Sequence, residues 1–206
     1  MAKLSRRLGP KLTAILVIYL LVALVAVGLT LLMSWQLEGG AAAVNELGSQ
    51  RMRSYRIALG LTQTTLPGAD QTATAERVRG EVAEFDRVLE DLERGDSSRP
   101  MVLPRAPAIQ SGFAALRAQW QEQMKPHVEA ALEAPSVETR RGLLSAYVPR
   151  ADAFVRQIDG TVRAIEQAMS DTTHLLRTLQ FGLIGLSLVG TVALIYLMFL
   201  LIVRPV

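Results

Sequence analysis

Cysteine is absent from this 206-residue sequence, and histidine occurs only twice. Without cysteine the chain has neither a disulfide framework nor a thiol nucleophile, so its stability must come from packing. His127 and His174 are far apart in sequence and lack the spacing of metal ligands. Glycine-rich phosphate loops, His-Glu-x-x-His and Gly-x-Ser-x-Gly are absent as well. We therefore expect no enzyme activity, no catalytic residues, no metal site and no cofactor.

Charge is missing from two long apolar runs, residues 12–33 and 181–203. At about 1.5 Å per residue, each run is long enough as a helix to cross a hydrocarbon core of about 30 Å. The first run is too long for the apolar part of a signal peptide, and no small-residue cleavage site ends it cleanly. We therefore predict two transmembrane helices, at 12–33 and 181–203, in a lipid bilayer.

Basic residues flank both runs on one side of the membrane. They are Lys3, Arg6, Arg7, Lys11 and Arg204. An excess of Lys and Arg marks the cytoplasmic side, so residues 1–11 and the C-terminal end are expected in the cytoplasm. Residues 34–180 are then expected in the periplasm, attached to the inner membrane of a bacterium.

The formal net charge of +3 is misleading, because five of the 22 basic residues belong to the membrane flanks. The other 17 stand against all 19 acidic residues in the segment 34–180. A slightly acidic domain gives no reason to expect nucleic acid as a partner.

Four helical patterns fill the segment between the runs. They are predicted over residues 34–65, 73–94 and 108–134, with a fourth that continues into the second run. The stripes that repeat at steps of four and three are Leu37, Ala41, Val44, Gly48, Arg51, Tyr55 and Ala58; Val78, Val82, Phe85, Leu89 and Leu92; Ile109, Phe113, Leu116, Trp120 and Met124; and Leu144, Val148, Ala151, Val155, Ile158, Val162, Ile165, Met169, Thr172 and Leu176. Each stripe predicts a packing face, and the acidic residues of the second helix, including Glu81 and Asp86, are interpreted as solvated surface.

Two prolines fall inside these patterns. Pro126 is expected to interrupt and bend the third helix. Pro149 either kinks the fourth helix or follows a separate short helix that ends near Tyr147, since proline costs about 3 kcal/mol in a helix interior. The predicted fold class is all-α: an antiparallel four-helix-bundle ectodomain between two transmembrane helices. The sustained heptads favour a parallel homodimer.

Arg51 is a permanent cation on the packing face predicted for the first helix. One interpretation is structural: its head reaches solvent or pairs with a carboxylate such as Glu46 of a neighbouring chain. The other is a binding site, because two Arg51 side chains that meet in a parallel dimer repel unless an anion lies between them. Gly48, one turn earlier, leaves room there. A small planar oxyanion suits the fork of a guanidinium.

The segment AAVNELGSQRMRSYRIAL, residues 42–59, resembles the periplasmic motif of nitrate/nitrite sensor histidine kinases, within the type IV pili methyl-accepting chemotaxis transducer-like N-terminal domain family. The residues that carry the resemblance are Asn45, Gly48, Ser49, Arg51, Met52, Ser54, Tyr55 and Arg56. Weaker similarity covers AQWQEQMKPHVEAAL, residues 118–132, and FVRQIDGTV, residues 154–162.

The resemblance implies a dimeric four-helix bundle in which one nitrate lies between the paired first helices, held by Arg51 of both chains. It implies further ligand-binding roles for Gly48, Ser49, Tyr55 and Arg56. Related chemoreceptor-type domains usually have Gln where Tyr55 stands, which favours the nitrate-sensor branch.

Two residues depart from the family pattern. Glu46 stands where a basic or apolar residue is common, and Arg53 stands where Gln is common. A carboxylate near the site either weakens anion binding or is neutralised by Arg53. These departures leave the ligand open among nitrate, nitrite and another anion.

The main expectation is a membrane-bound input module of a two-component signal transduction system. It binds nitrate or nitrite at the dimer interface and transmits a helix shift to a cytoplasmic output domain absent from this chain, through which alone it would reach a response regulator. The alternative is the input module of a chemoreceptor that senses another small anion or a periplasmic partner, and a third is a structural bundle without a ligand. Arg204-Pro205 resembles the start of a HAMP linker, predicted at 204–206. Whether the chain is a fragment or a complete short protein stays open.

Overall fold

A computed structural model of the chain describes residues 2–68, 70–95 and 101–199, and these ranges are almost entirely helical. The elements are α1 (Ala2–Gln63), α2 (Gln71–Arg94), α3 (Pro107–Gln119), a π-helical turn (Trp120–Met124), α4 (Lys125–Glu133) and α5 (Val137–Met198). No strand runs through the described ranges, so the predicted all-α class is confirmed. The predicted linker start at 204–206 and the last residues of the second predicted span lie outside the described residues.

The chain divides into two compact units, which we call the span unit and the core unit. The span unit comprises residues 1–35 and 171–206, and the core unit comprises Gln36–Ser170. In the described part of the span unit, both helices are long and apolar enough to cross a membrane, and their most apolar windows are exposed. They approach closely at Gly190, where a Cβ atom would lie 2.8 Å from Cε2 of Tyr19.

One hydrophobic core fills the core unit and draws on α1, α2, α3, the π-helical turn, α4 and α5. The predicted stripes of the second and third helices are buried throughout, and those predictions are confirmed. In α5 the predicted Val148 is exposed instead, while Tyr147 and Phe154, outside the predicted stripe, are fully buried. Met101 and Leu103, in the segment before α3, are also buried in this core.

Neighbouring helices of the core unit run in opposite directions. Gly60 of α1 lies against Val78 of α2, whereas the earlier Arg53 pairs with the later Glu81. The contacts that show the same reversal between the other helices are Glu93 with Arg117, Asp86 with Lys125, Gly112 with Thr161, and His127 with Leu143.

The packing stripe of α1 differs from the predicted one. The buried positions are Gly39, Gly40, Ala43, Leu47, Gln50, Ser54, Ile57, Gly60 and Leu61. Of the predicted stripe, Ala41, Arg51 and Tyr55 are exposed in the single chain, while Val44 and Ala58 pack against the core. The hydrophobic pattern missed the buried stripe because it is built largely from small and polar residues. The role of the predicted stripe as a dimer contact stays a prediction. Ser54 satisfies its buried hydroxyl by donating to the Gln50 carbonyl at 2.9 Å.

Arginine side chains tie together the helix ends at the turn between α1 and α2. Arg140 of α5 donates hydrogen bonds to three carbonyls: Thr64 after α1, and Ala131 and Ala134 at the end of α4. Arg141 donates to the carbonyl of Thr65. Carbonyl groups at helix C-termini lack intrahelical partners, so a guanidinium there satisfies several at once. We call this group the Arg140 clamp.

A π-helical turn replaces the predicted interruption at Pro126. The Lys125 amide donates to the Trp120 carbonyl, five residues earlier, just before Pro126. The buried positions Leu116, Trp120, Met124 and Val128 are spaced by three successive steps of four. An α-helix would rotate such positions progressively off one face, whereas a widened turn brings them back.

Pro149 lies inside the continuous helix α5, so the alternative of a separate helix that ends near Tyr147 is wrong. Burial explains the tolerance, since Tyr147, Ala151 and Phe154 on both sides of Pro149 are held in the core. Tertiary packing of these side chains outweighs the local cost of the missing hydrogen bond.

The close approach of α1 and α2 at Gly60 yields a stability prediction. A Cβ at Gly60 would lie 2.4 Å from Cγ2 of Val78, whereas one at Gly80 of α2 would meet nothing within 4 Å. Gly80→Ala should raise the free energy of unfolding by about 0.5–1 kcal/mol, because alanine is the better helix former. Gly60→Ala should be less stable than Gly80→Ala by about 1 kcal/mol or more, because it forces the Val78 side chain to move.

Denaturant unfolding of the purified full-length chain, followed by circular dichroism, measures both substitutions against the parent. Equal stabilisation by the two alanines would contradict the close packing of α1 on α2.

Candidate functional site

Arg51 projects from α1 towards α5 and pairs there with Asp159. Its Nη1 donates to Oδ1 of Asp159 at 2.8 Å, across 108 residues of sequence. The side chains are 45% and 27% exposed, so the pair is open to solvent. It lies in a cleft of about 210 Å³ that we call the Arg51 cleft. The lining residues are Val44, Arg51, Asp159, Val162, Arg163 and Glu166.

Gly48 and Arg51 are close together, as the sequence predicts. A Cβ at Gly48 would lie 3.6 Å from Nη2 of Arg51, in ordinary van der Waals contact. A larger side chain at position 48 would therefore crowd the guanidinium. Glycine leaves this side of the guanidinium accessible.

The other predicted ligand-binding residues lie apart from Arg51 within the chain. Ser49 donates its hydroxyl to the Glu46 carbonyl within α1, at 2.7 Å. Arg56 is on the α2 side of the helix, 3.6 Å from Glu81, and its side chain is 60% exposed. Tyr55 points outward beside exposed apolar neighbours. The structure thus brings Gly48 to Arg51 and does not gather all five residues into one site.

The exposed apolar residues beside Tyr55 form a stripe on the outer face of α1. Met52, Tyr55 and Leu59 are all well exposed, and Gly48 lies one turn before Met52 on the same face. We call these four residues the outer stripe. A contiguous apolar stripe on a helix surface is typical of a surface that contacts another molecule.

Arg53 pairs with two carboxylates of α2, Glu81 and Glu84. Its Nε donates to Glu81 at 2.9 Å, its Nη1 donates to Gln50 at 3.2 Å, and its side chain is only 14% exposed.

The Glu46 charge acts on Arg87 of α2. It adds to the rise in the pKa of Arg87, whose main cause is the hydrogen bond to Glu84. That hydrogen bond is also the main reason that the pKa of Glu84 lies below its ordinary value.

Asp86 is a structural residue and not the solvated carboxylate predicted from the sequence. It accepts hydrogen bonds from Trp120 Nε1 at 2.8 Å, Gln121 at 3.0 Å and Lys125 at 2.8 Å. Its hydrogen bond to Lys125 raises the pKa of that lysine above the ordinary value. The sequence signal was indirect: a buried tryptophan needs an acceptor for its N–H, and Asp86 adjoins the core residue Phe85.

Metal chemistry has no candidate in the described part of the chain. Residues 2–68, 70–95 and 101–199 contain no group of three or more His, Asp or Glu side chains that could hold a metal ion. His127 bridges helices instead: its Nε2 lies 3.0 Å from the Leu143 carbonyl, and its Nδ1 lies 3.0 Å from Nη1 of Arg150.

Comparison with known families identifies the segment that holds Arg51. Residues 32–147 match the family PilJ, described as the N-terminal part of type IV pili methyl-accepting chemotaxis transducers. The match covers more than half of the 206 residues. The chain belongs to this family. A comparison with curated proteins finds no match.

Family membership supports a transducer input module of the chemoreceptor type, which was the alternative expectation from the sequence, better than a nitrate/nitrite kinase module. Together with the two helices of membrane-spanning length and composition, it identifies a membrane protein with a sensor role in signal transduction. Asp159 lies beyond the matched residues.

The different surroundings of Arg53 and Arg56 yield a stability prediction. Arg53→Ala leaves Glu81 and Glu84 without a largely buried cation between them. We expect it to lower the free energy of unfolding by about 1–2 kcal/mol. Arg56→Ala removes an exposed side chain 3.6 Å from Glu81 and should change stability by less than about 0.5 kcal/mol. Thermal unfolding of both variants in one detergent checks the order, and equal losses would contradict it.

Proposed function

We propose that this chain is the input module of a chemotaxis-type transducer and that it senses a small anion at Arg51. The observation that carries the proposal is the family match over residues 32–147, which includes α2, α3, α4 and the part of α1 with Arg51. The module lies outside the cytoplasm and passes a helix displacement to a cytoplasmic output domain.

The exposed guanidinium of Arg51 supports an anion as the ligand, in a cleft where Arg51 and Arg163 stand against Asp159 and Glu166. The guanidinium is nearly half exposed, and it already binds a carboxylate through one of its nitrogen atoms. A guanidinium offers five N–H donors, so a single contact with Asp159 leaves donors for a second oxyanion. Gly48 keeps the approach open on one side. The fitting ligand is a small anion with two oxygen atoms in one plane, such as a short carboxylate or nitrate.

The outer stripe supports a second copy of this chain as the partner. Met52, Tyr55 and Leu59 leave a large apolar area uncovered on a solvent-exposed face of the core unit. A parallel copy packed across this stripe would cover the area and bring Arg51 of each chain to the two flanks of the contact. This arrangement keeps Gly48 and Tyr55 of the seam predicted from the sequence, but it places the two Arg51 side chains beside the contact and not face to face across it.

Signal transfer in this proposal follows the two long helices. α1 contains both Arg51 and the first predicted span, and α5 contains both Asp159 and the second predicted span as far as Met198. Displacements of about 1–2 Å between packed helices are of the size used by known switching proteins. Ligand binding in the Arg51 cleft, which is bounded by α1 and α5, would bias such a displacement.

Nitrate, or nitrite, as the ligand of a sensor kinase is a second candidate. The motif from Gly48 to Arg56 resembles that of nitrate sensors, and the Asp159 carboxylate presents to Arg51 the planar oxygen geometry that nitrate would present. The candidate requires a kinase output domain, whereas the family match favours a chemotaxis transducer.

Titration calorimetry on the full-length chain in lipid nanodiscs tests the ligand site, with sodium acetate, nitrate and nitrite as probes. We expect at least one probe to bind. Arg51→Ala should weaken that probe about 10- to 100-fold, since a hydrogen bond to a charged group contributes about 1.5–3 kcal/mol. Arg51→Lys should also bind weakly, because an ammonium lacks the fork.

Arg79→Ala, on the exposed face of α2, is the matched control and should bind as the parent does. Undiminished binding by Arg51→Ala would show that Arg51 is a structural residue. Binding of nitrate but not acetate would favour the second candidate.

Disulfide crosslinking in membranes tests the dimer, and the natural absence of cysteine makes single substitutions clean. Leu59→Cys, on the outer stripe, should crosslink to its twin under mild oxidation. Arg79→Cys should not, because it lies on an exposed face of α2. The reverse result would place the interface on another side of the core unit.

A further inference from the structure

The partner of Arg51 lies on a different helix and has the chemistry of the proposed ligand. Asp159 of α5 presents a carboxylate oxygen 2.8 Å from Nη1 of Arg51. A carboxylate is a planar oxyanion, so this contact copies the contact that a small anionic ligand would make. Asp159 and the ligand therefore compete for one guanidinium.

The exposure of the pair makes this exchange feasible. Arg51 is 45% exposed, against 14% for Arg53, which is enclosed by carboxylates of α2. Exposed ion pairs contribute little net stability because water and salt screen them, so they open readily. Arg51 is thus a cation of α1 whose carboxylate a dissolved anion can replace, while Arg53 keeps its place.

The released Asp159 has a second partner at hand. Arg163 follows it by four residues on α5 and lines the same cleft. Acidic and basic residues four apart on a helix are neighbours and attract each other. Val44 and Val162 give the cleft an apolar part, where an anion on Arg51 would be less hydrated than in open solvent.

We propose that Asp159 is an internal competitor that occupies Arg51 in the resting state, and that ligand binding displaces it. This inference rests on the proposed anion site. The ligand exchanges an ion pair between α1 and α5 for one between α1 and the ligand, so binding releases an electrostatic link between the two helices that continue into the predicted spans. The competitor sets the ligand class: a monoanion no bulkier at its charged end than a carboxylate.

Neutralising the competitor should strengthen ligand binding. When a binding-competent state is only partly populated, the apparent affinity falls by that fraction. Exposed pairs of this kind are closed only a few times more often than they are open. We therefore expect Asp159→Asn to bind the anion about two- to sixfold more tightly than the parent.

The experiment titrates the full-length chain in nanodiscs with acetate and with nitrate, comparing the parent with Asp159→Asn. Asp152→Asn removes the same charge from an exposed position on the same helix, outside the Arg51 cleft, and should bind as the parent does. Asp159→Ala is the second variant and should strengthen binding in the same way. Circular dichroism confirms that each variant is helical.

Three outcomes are distinct. Tighter binding in both Asp159 variants, with Asp152→Asn unchanged, supports the competitor. Unchanged or weaker binding in the Asp159 variants overturns it while leaving the anion site in place, because Asp159 then orients Arg51 or has no influence. If neither probe binds the parent or any variant, the anion site itself fails and the competitor fails with it.

Discussion

A stack of three aromatic rings holds the core unit together. The ring centroids of Phe85 in α2 and Trp120 in the π-helical turn are 3.9 Å apart, and those of Trp120 and Phe154 in α5 are 6.0 Å apart. Asp86 fixes the indole by accepting its N–H. The helix α2, the segment from α3 to α4 and the helix α5 thus meet through large, rigid side chains with one favoured arrangement.

The remaining segment, α1, contributes no aromatic side chain to this stack. It packs through three large side chains, Leu47, Ile57 and Leu61, and otherwise through small or polar residues such as Ala43 and Ser54. Small side chains make fewer contacts that would have to be broken and remade when a helix moves. The core unit therefore combines a framework of α2, α3, α4 and α5 with one helix that joins it through fewer large side chains, and that helix bears Arg51.

How well the sequence predicted the structure depended on the size of the buried side chains. The stripes of α2 and α3 were predictable because large apolar residues recur there at regular steps. The stripe of α1 was not, since Gln50 and Ser54 look like surface residues until their hydrogen bonds within the helix are seen. Of the two alternatives at Pro149, the separate short helix was wrong because burial on both sides outweighed the local cost of proline.

The candidate site was predictable only in part, for a related reason. Gly48 and Arg51 are one turn apart, so local helical geometry places them together. The partner of Arg51 is 108 residues away, and no local pattern identifies Asp159 among the acidic residues. Arg56 was grouped with Arg51 by motif, although five residues along a helix turn a side chain to the other flank.

The Arg140 clamp gives α1 the mechanics of a lever. It holds the Thr64 carbonyl at the end of α1, so that end is the natural fulcrum. Arg51 lies about 20 Å and Gly40 about 36 Å from this fulcrum, at a rise of about 1.5 Å per residue. A tilt that moves α1 by about 1 Å at Arg51 would therefore move it by about 2 Å at Gly40. There a flexible Met169 thioether rests against the glycine and can follow the motion.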